Sequence, residues 1–375
     1  MKILHIIIGL DIGGAEIMLK RLIESKPSEF PNIVVVSLTS LGVIGESLRT
    51  RGVHVHALGM TSAWHSPIVL WQLVRLTHQY QPDIVQTWMY HADFLGGLAA
   101  RLAGHCAIVW GIRSTTISQG LFSFTFWLIR ICAICSYIVP HRIICCAKSA
   151  KEAHINLGYA THKMTVIPNG FDFSVFDRHL NSRAKSRMEL GYNVDDIVIG
   201  VIGRFNPLKD FHNFVIAASS LASKRGNVRF LMVGRNIEWS NYTLREWIES
   251  KGFVKNFQLV GEQSDVPFFL SAMDIFCLSS VSEAFPNVVV EAMAMGLPCV
   301  VTRAGDAADI LGIDDFVVPV KDSTSLSSAL LRMCDLNLEV RRRVGERGAS
   351  KVRAKYRIEN IRQKYEEVYA EIAGK

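Results

Sequence analysis

The sequence has little of what marks several common protein classes. Charged residues make up 20% of its 375 residues and hydrophobic residues 49%, and no low-complexity run or short fixed repeat occurs. These features exclude a disordered chain and a solenoid. Lys and Arg form no clustered stripe, so we expect no nucleic acid partner. The first strand-like run leads into Gly13-Gly14-Ala15-Glu16 rather than Gly-x-Gly-x-x-Gly, which argues against a nicotinamide oxidoreductase.

Cysteine usage and charge point to a cellular setting. The eight cysteines lie among apolar residues, and the pair Cys132-x2-Cys135 has no second ligand pair nearby. We therefore expect buried, reduced thiols and a cytoplasmic protein. The net charge of +7 is uneven, because residues 1–170 hold 14 basic and 8 acidic residues against 27 and 26 in residues 171–375. The basic N-terminal half predicts an anionic partner, either a membrane surface or a diphosphate-bearing acceptor.

Residues 121–139 form the longest apolar stretch, interrupted by one charge, Arg130. A helix of this length would reach ~28 Å, which is slightly short of a bilayer core. We predict an apolar helix that lies partly in the membrane interface. A core helix of the first domain is the alternative, and the sequence leaves it open.

Alternation of short apolar runs with helical segments predicts two doubly wound α/β domains. The predicted strands of the first are 2–10, 33–38, 53–58, 83–88, 107–112, 142–147 and 164–167. Those of the second are 197–203, 229–233, 258–261, 275–278, 299–302 and 316–320. Pro168-Asn169-Gly170 is the predicted join. The domains therefore cover residues 1–170 and 171–354, with a ligand cleft expected between their strand ends. The tail, residues 336–372, reads as helical.

Two segments of the second domain carry the chemistry. Arg204 and Lys209 flank a proline turn after its first strand, and a diphosphate needs such cations. Glu283 lies in a loop, and Glu291 lies about one turn into a helix that starts near Pro286. Helix N-termini bind anions, while carboxylates accept hydrogen bonds from sugar hydroxyls. Together these groups predict a nucleotide-sugar site.

The Glu283-x7-Glu291 spacing, with the Glu-Ala-Met-Ala-Met-Gly-Leu-Pro segment that follows, resembles the signature of retaining glycosyltransferase family 4. This resemblance implies the GT-B fold, in which two Rossmann-like domains face a cleft and the last helix, here about residues 355–375, crosses back to the first domain. No Asp-x-Asp occurs in the chain, in agreement with the metal-independent GT-B class. We expect no metal and no cofactor.

The resemblance also implies residue roles. Glu283, Arg204 and Lys209 are the predicted catalytic residues. The donor-binding residues are Gly13, Gly14, Phe285, Pro286, Asn287, Val288 and Glu291. The acceptor-side candidates are His91, Asp93 and Arg113. Arg113 stands where many family members have a histidine, which leaves the transfer of that histidine's role open.

The implied activity is transfer of a sugar, with a UDP-sugar favoured, to a polyprenyl-diphosphate-linked glycan in O-antigen, capsule or exopolysaccharide assembly. The enzyme is expected at the inner face of the cytoplasmic membrane, as a peripheral protein. Two alternatives stay open, a GT-B sugar-nucleotide epimerase and a non-catalytic membrane-associated scaffold.

Overall fold

A computed structural model describes residues 1–104, 107–115 and 124–374. Its strands form two sheets in which all pairings are parallel. The first sheet contains β1 (Ile3–Ile7), β2 (Ile33–Ser37), β3 (His54–Ala57), β4 (Ile84–Trp88), β5 (Ala107–Ile112), β6 (Arg142–Cys145) and β7 (Met164–Val166). The second contains β8 (Ile197–Ile202), β9 (Val228–Val233), β10 (Phe257–Leu259), β11 (Ile275–Leu278), β12 (Cys299–Thr302) and β13 (Val317–Val318).

Helices connect the strands throughout. Those among and after the first seven strands are α1 (Gly14–Glu24), α2 (Gly42–Thr50), α3 (Ser66–Tyr80), α4 (Tyr90–Leu102), α5 (Phe124–Cys135), α6 (Lys148–Ile155), α7 (Ser174–Asp177) and α8 (Arg183–Glu189). The later helices are α9 (Phe211–Ala222), α10 (Tyr242–Glu249), α11 (Val266–Ala272), α12 (Asn287–Ala294), α13 (Ala307–Leu311), α14 (Ser323–Asp335), α15 (Leu338–Tyr356) and α16 (Ile358–Ala373).

The chain divides into two compact units. The N-terminal unit comprises Met1–Phe171 and Tyr356–Lys375, and the C-terminal unit comprises Asp172–Lys355. In the N-terminal unit the strand order is β3-β2-β1-β4-β5-β6-β7, and in the C-terminal unit it is β10-β9-β8-β11-β12-β13. Central strands such as β4, β5 and β8 are buried along their whole length, because helices cover both faces of a parallel sheet.

Each sheet has a point at which the strand order reverses. In the N-terminal unit it lies between β1 and β4, and in the C-terminal unit between β8 and β11. In open α/β sheets, ligands bind outside the carboxyl ends of the strands at such a point. The loops after these four strands are therefore where each unit's candidate site residues should lie.

The last helix belongs to the core of the N-terminal unit. Ile361, Tyr365 and Tyr369 of α16 are buried with side chains of α1 and β2. The Phe171 N–H donates to the Tyr356 carbonyl at 2.8 Å, and the Ile358 N–H donates to the Phe171 carbonyl at 3.0 Å. The predicted helical tail consists of two helices, α15 and α16, which are separated at Arg357, where the chain is extended (ψ 134).

All thirteen predicted strands are confirmed, with differences of a few residues at their ends. Helix α4 begins at Tyr90, two residues after β4 ends. His91 and Asp93 therefore lie on its first turns and not in a loop.

The prediction of one helix over residues 121–139 is wrong in length. Residues 121–123 lie outside the described residues, and α5 ends at Cys135. In the segment that follows the helix, the Lys163 ammonium donates to the carbonyls of Ser136, Tyr137 and Pro140 at 2.6–3.1 Å. Among the described residues, no helix is long and apolar enough to cross a membrane.

Candidate active site

The centre of the C-terminal unit's site is an ion pair between two predicted catalytic residues. Lys209 Nζ lies 2.6 Å from Glu283 Oε1, and their side chains are 22% and 13% exposed. The Ser280 hydroxyl donates to the same carboxylate oxygen at 2.7 Å. The structure thus brings together two side chains that are 74 residues apart in the sequence.

Hydrogen bonds fix the loop after β8 to the loop after β11. Lys209 ends a short 3₁₀-helix (Pro207–Lys209) that Asn206 caps by accepting the Leu208 N–H at 2.9 Å. The Ser279 hydroxyl donates to the Lys209 carbonyl at 2.8 Å, and the Val281 N–H donates to the Leu208 carbonyl at 2.8 Å. Because the two loops share these bonds, the Lys209 backbone has little freedom relative to Glu283.

The loop after β12 supports the backbone of Glu283 from another side. The Thr302 hydroxyl donates to the Ser280 carbonyl at 2.6 Å, and the Asp306 N–H donates to the Ala284 carbonyl at 3.1 Å. Gly305 has φ +54, and a Cβ at this position would lie 2.1 Å from the Glu283 carbonyl oxygen. Only glycine allows so close an approach in this conformation.

The N-terminus of α12 follows directly from this loop. Pro286 is its N-cap residue, and Asn287 is its first residue. Phe285 and Pro286 are buried, whereas Val288 and Glu291 are half-buried, and Glu291 lies one turn into the helix. The first backbone N–H groups of a helix have no partner within it, and they favour an anion. Arg204 is exposed, at the end of β8.

In the N-terminal unit, Gly13 and Gly14 lie at the start of α1, as predicted. Gly13 is its N-cap, and a Cβ there would lie 2.3 Å from Glu16 Oε2. The Glu16 carboxylate therefore lies at this helix N-terminus, beside the two glycines that are predicted to bind the donor. Burial raises the pKa of Glu16, while its hydrogen bond to a backbone N–H opposes that rise. The Gly13-Gly14-Ala15-Glu16 pattern does not by itself indicate this position of the carboxylate.

Asp93 is buried and holds two strand ends together. Its Oδ1 accepts the Thr87 hydroxyl of β4 at 2.5 Å and the Gly111 N–H of β5 at 3.3 Å. Burial raises its pKa to about 7. Met89, between β4 and α4, has φ +74, a strained conformation that often marks functional sites. An acceptor contact by Asp93 stays a prediction, and the contacts seen are internal.

His91 is half-buried at the start of α4, and its ring centroid lies 6.2 Å from that of Phe124 of α5. Burial lowers its pKa, so the imidazole is neutral at pH 7. A neutral imidazole both donates and accepts hydrogen bonds, as a sugar hydroxyl requires. Its acceptor role also stays a prediction.

Arg113 makes contacts that the sequence did not indicate. Its Nη1 donates to Asn169 Oδ1 at 2.7 Å, its Nη2 donates to the Tyr365 hydroxyl, and its guanidinium carbon lies 4.5 Å from the centre of the Trp88 ring. Arg113 thus links the end of β5 to Asn169 of the predicted domain boundary and to Tyr365 of α16. Its acceptor-side role stays a prediction, and these internal contacts would compete with it.

Comparison with known proteins follows the same two-part division. A family model described as "Glycosyltransferase Family 4" matches residues 12–175, and one described as "Glycosyl transferases group 1" matches residues 182–351. The chain belongs to glycosyltransferase family 4. It is therefore a glycosyltransferase, and the family assignment drawn from Glu283 and Glu291 is confirmed.

Relatives of this glycosyltransferase include proteins named for capsular polysaccharide biosynthesis and for transfer to diphosphoundecaprenol-linked sugars. It is 29% identical over 272 residues to the Escherichia coli UDP-Gal:alpha-D-GlcNAc-diphosphoundecaprenol alpha-1,3-galactosyltransferase, covering 70% of this chain and 69% of that protein. It is 25% identical to the capsular polysaccharide biosynthesis glycosyltransferase CapM of Staphylococcus aureus, with 80% of each covered. It is 26% identical to the Campylobacter jejuni N,N'-diacetylbacillosaminyl-diphospho-undecaprenol alpha-1,3-N-acetylgalactosaminyltransferase, covering 76% of this chain and 77% of that protein.

Solved structures agree on the fold. Anabaena HepE in complex with UDP superposes with a TM-score of 0.86 at 20% identity, covering 99% of this chain and 100% of that one. A glycosyltransferase from Rickettsia africae superposes with a TM-score of 0.82 at 18% identity, covering 99% and 98%. The predicted GT-B fold is confirmed.

Proposed function

We propose that this glycosyltransferase moves a sugar from a UDP-sugar to a polyprenyl-diphosphate-linked glycan, with retention at the anomeric carbon, in bacterial surface-polysaccharide assembly. Relatives named as transferases to diphosphoundecaprenol-linked sugars support the acceptor class. The UDP-Gal donor in the name of the Escherichia coli enzyme, and the UDP complex of HepE, support the donor class.

In the proposed step the bond between the anomeric carbon and the β-phosphate oxygen breaks, and a bond from that carbon to an acceptor hydroxyl oxygen forms on the same face. The acceptor proton passes to the departing phosphate oxygen. Because the bond to the anomeric carbon breaks ahead of the proton transfer, negative charge develops on the diphosphate in the transition state, and fixed cations and backbone N–H groups stabilise it.

The observation that carries this proposal is the position of Lys209 beside Glu283 at the start of α12. We assign the departing diphosphate to Arg204, Lys209 and the backbone N–H groups of Phe285, Asn287 and Val288. Glu283 accepts from hydroxyls of the transferred sugar, and Glu291 accepts from the ribose hydroxyls. The ion pair holds the Lys209 ammonium and the Glu283 carboxylate in fixed positions. The ammonium therefore needs only a small movement to bind a phosphate oxygen of the donor as well.

The proposed location is the inner face of the cytoplasmic membrane. All seven cysteines among the described residues are free, as expected of a reducing compartment. Helix α5 has exposed apolar side chains, including Phe124, Trp127 and Ile134, which suits contact with a membrane interface.

The test is nucleotide release from a panel of UDP- and GDP-sugars, with and without membranes that carry polyprenyl-diphosphate sugars. We expect release of UDP from one donor, dependent on those membranes, and a product whose anomeric proton coupling in NMR matches that of the donor.

Four results would contradict the proposal in different ways. Isomerisation of the donor without acceptor would identify an epimerase. Release of GDP would show that the donor is a GDP-sugar and not a UDP-sugar. An inverted anomeric centre in the product would show that the enzyme is inverting and not retaining. If no donor of the panel releases its nucleotide and none binds, the non-catalytic scaffold would be favoured.

A further inference from the structure

Helices α3, α4 and α5 form one layer on the N-terminal unit's sheet. Helix α4 packs against both α3 and α5. The helices α1, α2 and α16 pack in a separate core cluster, with β1, β2 and β3. Right-handed crossovers place helices on opposite faces of a sheet where its strand order reverses. The α3–α4–α5 layer therefore covers the sheet face opposite α1 and α2.

The outer side of this layer is apolar across all three helices. Helix α4 turns Gly96 and Gly97 inward, where an added Cβ would meet Ile6 and Trp110 within 3 Å. Its outward residues follow at helical spacing, and the last of them is 60% exposed. These residues are Phe94, Leu98 and Leu102.

Two tryptophans extend the apolar surface beyond α5. Of this surface, the sequence alone had indicated only the α5 segment. Trp64 precedes α3 and is 92% exposed, and Trp71 lies two turns further along. Ile68, between them, is also exposed. Residues four and seven apart lie on one helix face. An almost fully exposed tryptophan has no packing reason to be there, and Trp is enriched where protein meets the lipid headgroups.

The charge on the layer has one sign. Arg75, Arg101 and Arg130 are exposed, and within the three helices, all of whose residues the structure describes, the only carboxylate is the buried Asp93. The Arg75 guanidinium lies 5.8 Å from the centre of the Trp71 ring. A second copy docked through the same surface would bring like charges together, whereas anionic lipid headgroups would neutralise them.

We propose that the outer surface of α3, α4 and α5 is a membrane-docking face for bilayers with anionic headgroups, and that Trp64 and Trp71 are its second anchor beside α5. This inference rests on the proposed function, because it names the surface by which the enzyme reaches a lipid-linked acceptor. His91 starts α4 and touches Phe124 of the same face, so docking holds an acceptor-side candidate close to the headgroups.

The test is co-sedimentation of the full chain with vesicles of phosphatidylethanolamine and phosphatidylglycerol, compared with phosphatidylcholine vesicles. We expect W64S/W71S to lower the partition coefficient for the anionic vesicles by about 100-fold, roughly tenfold for each tryptophan. Arg75→Gln should lower it by about fivefold, and by less at high salt. Tyr242→Ser is the matched control, because Tyr242 is an exposed aromatic of the C-terminal unit that also lies beside an arginine.

Three outcomes would overturn the proposal. The first is wild-type sedimentation of W64S/W71S. The second is loss of binding only in Trp127→Ser, which would restrict the contact to α5. The third is a dimer that W64S/W71S converts to a monomer without any change in vesicle binding, which would make the face an interface between copies.

Activity separates this inference from the proposed function. With a detergent-dispersed acceptor, W64S/W71S should turn over at the wild-type rate, because only delivery to the membrane is impaired. If vesicle binding depends on the two tryptophans but the protein uses no sugar nucleotide, the docking face is supported and the glycosyl transfer is refuted. If glycosyl transfer is normal but vesicle binding does not depend on the tryptophans, the glycosyl transfer is supported and the docking face is refuted.

Discussion

The buried carboxyl of Asp93 predicts a specific dependence of stability on pH. Its pKa is about 7 in the folded protein, against an ordinary value of 3.8. Between these values the folded state keeps a proton that the unfolded chain has lost. Asp93 therefore destabilises the protein progressively as the pH rises from about 4 to about 7, and its effect is constant above that. The neutral amide of an asparagine at this position would resemble the protonated carboxyl, so the substitution Asp93→Asn removes this dependence.

The magnitude follows from the size of the shift. Each pH unit between the two values changes the free energy of unfolding by about 1.4 kcal/mol. From pH 5 to pH 8, wild type should lose about 3 kcal/mol relative to D93N, with the two close to equal near pH 4. Other groups, such as the buried His5, titrate in both proteins and cancel in the difference.

The assay is urea unfolding of wild type and D93N at several pH values between 5 and 8, with Asp195→Asn as an exposed control. A constant difference between wild type and D93N over this range would refute the reasoning. It would mean that the bonds from Thr87 and Gly111 hold Asp93 ionised throughout. A difference that grows in favour of wild type would also refute it.

Three further predictions concern the C-terminal unit. Lys209→Met should lower kcat/KM for the donor by about ten- to hundredfold, measured by nucleotide release, while the exposed Lys255→Met leaves it unchanged. Glu291→Gln should weaken donor use by at least about tenfold, and wild-type donor kinetics in that variant would refute the ribose assignment. Gly305→Ala should cost at least about 1 kcal/mol more in thermal unfolding than Gly296→Ala. Both glycines have positive φ, but only at Gly305 would an added Cβ meet backbone atoms. Equal losses of stability in the two variants would show that the loop can shift to accommodate the Cβ at residue 305.

The strands and the start of α12 could be predicted because their signals are local. Apolar runs of four to six residues between polar segments mark buried parallel strands, such as β8 and β9. Pro286 marks the start of α12 with equal clarity. Glu283 and Lys209 could be paired from sequence only through their positions after two neighbouring strands, which is a property of the topology.

What the sequence missed depends on distant contacts. Lys163, which binds carbonyls in the turn after α5, is 27 residues from Ser136. The partners of Arg113 include Tyr365, 252 residues away. Exposure is also unreadable from composition, since Trp64 and Trp88 have the same side chain but are 92% and 0% exposed.

Transfer of labelled sugar from a UDP-sugar into the organic-extractable lipid fraction tests the central claim most directly, with wild type and Lys209→Met assayed in parallel on membranes bearing polyprenyl-diphosphate sugars. The account predicts label in the lipid fraction with wild type, and about ten- to hundredfold less with Lys209→Met. Label that enters the lipid equally with both proteins would contradict the assigned site. Label that stays in water-soluble products would contradict the lipid-linked acceptor.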